Sequence, residues 1–185
     1  ECRHHADRTD SRLMLTRSTD CGRTWTPKIP LTEKAADKDH RLDCARISRL
    51  PDHSLIIVCD YVVGDENTGS AEVWLWRGDE KGTRFEGPEV TPVKGIVPTK
   101  LTVTQTGRWL LGAHYYSQKV NKLVQYVWFS DDQGQTWSER ITAAEDARYN
   151  LCEGDIAVLP DNTLIMLLRE NSGLGYDGMK VISHD

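Results

Sequence analysis

The chain has 185 residues, of which 38% are apolar and 28% charged, with a formal net charge of −5. That balance is ordinary for a globular domain, and without a basic cluster it excludes a nucleic-acid footprint. No apolar run exceeds Leu55 to Cys59 in length, which is strand-sized and far short of a membrane span.

In chain order, Glu1 to Asp10 is polar and reads as loop. Leu13 to Arg17 makes a short strand, and a Pro- and charge-rich connector follows Trp25 as far as about Asp43. Ala45 to Leu50 and Leu55 to Val63 form a hairpin turning at Asp52-His53, with Ala71 to Trp76 alternating as a third strand. Val97 to Thr104 and Arg108 to Tyr116 form the next hairpin, followed by Leu123 to Phe129. Leu151 to Leu159, Thr163 to Arg169 and Met179 to Ser183 repeat the scheme. No segment carries a helical period, so the chain reads as all-β.

Two motifs recur in phase with these hairpins. The pattern S-x-D-x-G-x-T-W stands at Ser18, Asp20, Gly22, Thr24 and Trp25, and again at Ser130, Asp132, Gly134, Thr136 and Trp137; a third copy opens at Ser183-His184-Asp185. Ser and Asp side chains close such a turn by bonding nearby backbone groups, Gly supplies a positive φ, and Trp packs beside it. A degenerate copy runs from Arg77 to Phe85. The second motif is Leu50-Pro51-Asp52 and Leu159-Pro160-Asp161, with Thr104-Gln105-Thr106 between them. Spacings of 54 and 55 residues between Asp52, Thr106 and Asp161, with short strands in each unit, are the mark of propeller blades.

The five cysteines (Cys2, Cys21, Cys44, Cys59, Cys152) are scattered, with no disulfide or zinc spacing. They read as free, partly buried thiols, and no metal or cofactor is expected.

Chemistry is expected at the open end of the innermost hairpin of each blade. Glu153 lies eight residues before Asp161 and Arg169 eight after it, which makes them approximate cross-strand neighbours. The same folding pairs Pro98 with His114 and Cys44 with Tyr61. One rim would then carry Glu153 and Arg169, His114 with Tyr115, and Asp60 with Tyr61. Glu153 and Arg169 are either a structural ion pair or a carboxylate beside a cation that grips an anion. The aromatic residues either pack or bind.

S-x-D-x-G-x-T-W is the Asp-box of the bacterial neuraminidase repeat, and the whole chain resembles the sialidase (neuraminidase) superfamily of six-bladed β-propellers. The resemblance implies about three blades and part of a fourth, in one partial propeller domain truncated at both ends. It implies an exo-α-sialidase that releases terminal sialic acid with retention. Glu1-x-Arg3, followed by an Asp and a strand, is similar to the family's opening, which makes Asp7, or alternatively Asp10, the general acid/base and Arg3 a substrate contact. Asn150 to Arg169 resembles the family's Glu-and-Arg blade, in which Glu153 would polarise a nucleophilic Tyr and Arg169 would clamp the substrate carboxylate. His114, Tyr115 and Tyr61 would touch substrate. The nucleophilic Tyr and the other two clamp arginines are expected beyond the 185 residues.

The partners implied are a sialylated or other glycan and the remaining blades, with no nucleic acid and no membrane. Family habit favours export to the periplasm or outside the cell. An isolated arc is expected to be inactive and to self-associate through its open strand edges. A propeller hydrolase acting on another sugar, such as an exo-arabinanase, and a non-catalytic binding propeller are the alternatives.

Overall fold

A computed structural model describes residues 11–34, 39–64 and 70–184. Every regular element among them is a strand. The ribbon β1 (Met14–Leu15) and β2 (Ile29–Pro30) precedes a four-stranded first blade made of β3 (His40–Arg49), β4 (Leu55–Val63), β5 (Ser70–Gly78) and β6 (Phe85–Lys94). The second blade is β7 (Thr102–Val103), β8 (Trp109–Ser117), β9 (Lys122–Ser130) and β10 (Ile141–Ala144). The third is β11 (Leu151–Val158), β12 (Leu164–Glu170) and β13 (Met179–Ser183). All pairings are antiparallel between sequence neighbours. This up-and-down meander, repeated around an axis, is an arc of a β-propeller.

The outer strands β2, β6 and β10 are the ones the sequence pattern does not announce. They pair on one side only, and β6 carries two prolines, Pro88 and Pro92, which interior strands exclude. The inner strand expected over Val97 to Thr104 narrows to Thr102–Val103 plus a single bridge between Ile96 and His114.

Strand alternation sends each blade's two faces to different neighbours. Ile56 and Val58 of the first blade meet Trp109, Leu111 and Ala113 of the second. On the second blade's other face, Leu110 joins Leu151, Ile156, Met166 and Leu168 of the third. Burying each such side chain contributes roughly 1.5–3 kcal/mol, so the arc is held together chiefly by blade-on-blade contact.

The Asp-boxes close the third strand of their units by one repeated set of bonds. Ser130 Oγ accepts from the Gly134 N–H (2.8 Å) and donates to Asp132 Oδ1 (2.8 Å). Asp132 in turn accepts from the Thr136 N–H (2.8 Å) and hydroxyl (2.6 Å). Ser18, Asp20, Gly22 and Thr24 make the same four bonds, at 2.8, 2.7, 2.9 and 2.6 Å. In both boxes the indole N–H, of Trp137 or Trp25, donates to the glycine carbonyl at 3.1 Å. Of that set the degenerate copy keeps the two bonds from Thr83 to Asp79, and Asp79 accepts from the Arg84 N–H as well. Gly134 has φ +87°, a conformation that favours glycine, and a Cβ there would press to 3.1 Å from the Trp109 ring. These turns and the Asp52 and Asp161 turns share one end of the blades.

Candidate functional site

At the opposite end every blade interrupts its innermost strand in the same way. In β11, Cys152 pairs with Arg169 and pairing resumes at Asp155, leaving Glu153 and Gly154 in a bulge. In β3, Asp43 pairs with Asp60 and pairing resumes at Arg46. The φ angles of Cys44, Val97 and Glu153 are 51°, 48° and 51°, so three non-glycine residues at equivalent places adopt a left-handed backbone. The bulge also corrects the expected pairings. Tyr61 faces Leu42 rather than Cys44, and His114 bridges Ile96 rather than Pro98.

The strained residues are tied to the preceding blade. Val97 N–H donates to Asp60 Oδ2 (3.0 Å), and Glu153 N–H donates to His114 Nδ1 (3.2 Å). Gly154 N–H donates to Gln125 Oε1 (3.0 Å). Asp60, His114 and Arg169 stand on the same rung of successive blades. Asp and neutral His can accept a backbone N–H there, whereas Arg has only donors. Arg169 therefore turns back, and its Nη1 donates to Glu153 Oε1 at 2.8 Å. Its other N–H groups carry no hydrogen bond among the described residues.

The magnitudes show that this pair adds little to stability. With side chains 56% and 36% exposed, such an ion pair contributes about 0–1 kcal/mol to stability. A left-handed backbone at a residue like Glu153 costs about 1–2 kcal/mol. The pair does not offset that strain; it presents an oriented carboxylate beside a cation with spare donors. Behind it, His114 is buried, and its pKa is lowered to about 4 by burial and then by the nearby Arg169 charge. The ring is neutral at ordinary pH. Nearby in sequence, Asp155 of the third blade meets Lys100 of the second at 3.3 Å, with both side chains about half exposed.

Of the residues singled out in the sequence, the structure brings Glu153 and Arg169 together. His114 adjoins them, but as a buried acceptor behind Glu153, not as an exposed substrate contact. Tyr61 and Tyr115 do not join the site, because adjacent strand residues face opposite sides of the sheet. Tyr115 packs against the core between the first and second blades. Its equivalent Tyr61 stacks on Trp74 with ring centroids 4.0 Å apart and planes 14° from parallel. It borders a cleft of about 470 Å³ that Leu31, Leu42 and Trp76 also line. Arg3, Asp7 and Asp10 lie outside the described residues. Gln125 was not singled out, although one polar residue inside the apolar run of β9 is a visible signal. The described cysteines Cys21, Cys44, Cys59 and Cys152 are free thiols. Among the described residues no group of His, Cys, Asp and Glu side chains is arranged to hold a metal ion.

A family model described as a BNR repeat-like domain matches residues 5–183. No curated protein matches the chain. Among solved structures, a protein of unknown function from Dyadobacter fermentans is 21% identical with a TM-score of 0.74, over 98% of this chain and 57% of that one. The GH93 α-L-arabinofuranosidase of Fusarium graminearum, in complex with arabinobiose, is 16% identical with a TM-score of 0.65, over 95% of this chain and 55% of the enzyme. NanB sialidase from Streptococcus pneumoniae is 14% identical with a TM-score of 0.53, over 86% of this chain and 24% of the sialidase. The chain thus spans little more than half the length of the first two. At these identities the likeness is one of fold.

Proposed function

We propose, from the premise that this chain belongs to the BNR repeat-like domain family, that it forms the catalytic arc of an exo-acting glycoside hydrolase of the sialidase type. The observation that carries the reading is the Glu153–Arg169 contact of 2.8 Å at the open end of the third blade. Arg169 donates through Nη1 to Glu153 and keeps its remaining N–H groups for the carboxylate of a sialic acid, which a guanidinium grips bidentately. Glu153 acts as the base. In this glycosidase class the nucleophile is a tyrosine, which needs its proton drawn off by such a carboxylate. Asp7, or Asp10, supplies the proton to the leaving oxygen.

The chain forms one arc, and further blades complete the propeller. Leu167 of the third blade is 64% exposed, whereas Val58, on the same rung of the first blade, is 0% exposed beneath the second. A following blade would cover Leu167 as the second covers Val58. The assembled protein takes a glycan substrate and works outside the cytoplasm.

A second reading, release of α-L-arabinofuranosyl groups, is favoured by the higher TM-score of the arabinofuranosidase than of the sialidase. Assay of the protein that carries this chain on aryl sialoside and aryl α-L-arabinofuranoside separates the two. Turnover of the sialoside alone is expected. Turnover of the arabinofuranoside alone transfers the assignment, and turnover of neither glycoside removes it.

A further inference from the structure

We infer that His114 and Gln125 form a two-point clamp on the second blade that positions Glu153 on the third; the inference rests on the reading of Glu153 as a reacting group. The bulge offers two consecutive N–H groups that no strand ladder takes up. His114 Nδ1 accepts the first at 3.2 Å and Gln125 Oε1 the second at 3.0 Å. The two side chains are directly opposed across β8 and β9, at 3% and 0% exposure, so the clamp is built into the core of the second blade.

Its parts are fixed in turn. His114 is held through its own backbone by two bonds to Ile96, at 3.0 and 3.2 Å. Gln125 Nε2 donates to the Tyr126 carbonyl at 3.3 Å. Gly154 lies close enough that a Cβ would come within 2.8 Å of Met166 Sδ and 3.1 Å of Gln125 Cδ. The bulge therefore has no room to slide along the clamp. The boundary between the first and second blades lacks this double hold. Asp60 takes the N–H of Val97, and the next residue, Pro98, has no N–H to offer. Because Nδ1 accepts, the ring proton of His114 resides on Nε2. Neither residue reacts. Each fixes the backbone from which the Glu153 carboxylate projects toward Arg169, and a displacement of about 1 Å at such a group costs on the order of 10²-fold in rate.

The test is amide hydrogen exchange of the assembled protein that carries this chain, followed by NMR. His114→Ala is expected to speed exchange at Glu153 at least tenfold, and Gln125→Met to do the same at Gly154. The Val97 amide, held by Asp60, should keep its parent rate in both. His114→Asn, which retains an acceptor near the position of Nδ1, should restore Glu153 protection. In the assembled protein His114→Ala should lower kcat at least tenfold with KM within threefold, and His114→Asn should recover most of the loss. Unchanged exchange at Glu153 in His114→Ala overturns the clamp, as does an unchanged kcat in an active parent. If His114→Ala does not fold, the ring nitrogen shifts of His114 in the unaltered assembled protein decide: a neutral ring protonated on Nε2 supports the clamp, and a charged or Nδ1-protonated ring at neutral pH overturns it. A parent without glycoside turnover removes the proposed function, while the exchange rates still judge the clamp.

Discussion

The first and third blades build the same inner bulge and furnish it with different chemistry. Cys44 and Glu153 share a φ of 51°, and Asp60 and Arg169 share the opposing rung. In the first blade both side chains turn inward. Burial pushes the Cys44 thiol up to about 12 and the Asp60 carboxyl up to about 6, and Asp60 Oδ1 has no hydrogen-bond partner among the described residues. In the third blade the carboxylate and guanidinium stand half-exposed and paired. The blade architecture sets the backbone, and the choice of side chain decides whether the position is buried between two blades or stands open to solvent.

Replacing Arg169 breaks the comparison from the active side. Arg169→Met should lower kcat/KM about 10²–10³-fold, the scale of losing one preorganised donor to developing charge. Arg169→Lys should recover only part, since an ammonium lacks the planar fork. Steady-state kinetics on the preferred aryl glycoside measure both, and full activity in the Met variant would reduce Arg169 to a surface ion pair.

The two acceptor rungs can be separated by pH. Asp60 loses its proton near 3.8 when unfolded and about 6 when folded. Its contribution is therefore complete below about pH 4 and is lost as pH rises to 6. His114 titrates near 6.5 when unfolded and about 4 when folded, so its contribution is complete above 6.5 and is lost as pH falls to 4. The slopes are opposite and their windows overlap, so unfolding free energy in the parent should be nearly flat between pH 4 and 6. Asp60→Asn should leave a stability that rises with pH, and His114→Asn one that falls, each by about 2–3 kcal/mol across the window. Urea unfolding at several pH values checks this; level curves in both variants would contradict the burial of these groups.

A smaller contrast separates the two Asp-boxes. Trp25 is 61% exposed, whereas Trp137 packs against the core between the first and second blades. Trp137→Ala should cost about 2 kcal/mol and Trp25→Ala less than about 1 kcal/mol. Thermal unfolding measures the difference, and equal costs would mean that the outer box packs in solution as the inner one does.

The Asp-boxes and turns were legible because their chemistry is local: Ser18 and Ser130 reach only four residues ahead. The blade repeat followed from their spacing. The outer strands were not legible, since residues that pair on one side and face water need neither alternation nor apolar character, as the Phe85–Lys94 strand shows. Glu153 and Arg169 emerged from counting outward from Asp161, although the bulge shifts the register beneath that count. Tyr61 and Tyr115 were misplaced because neighbours of Asp60 and His114 necessarily face the other side of the strand. The clamp was beyond reach. Nothing local tells His114 and Gln125 that their acceptors will meet the N–H groups of residues 39 and 29 positions later.

The most direct test sets the two bulges side by side in the assembled protein: kcat/KM on the preferred aryl glycoside for Glu153→Gln and for Cys44→Ser. The account predicts a loss of about 10²–10⁴-fold for Glu153→Gln, the range of a missing general base, with Cys44→Ser within threefold of the parent. Undiminished turnover in Glu153→Gln would contradict it.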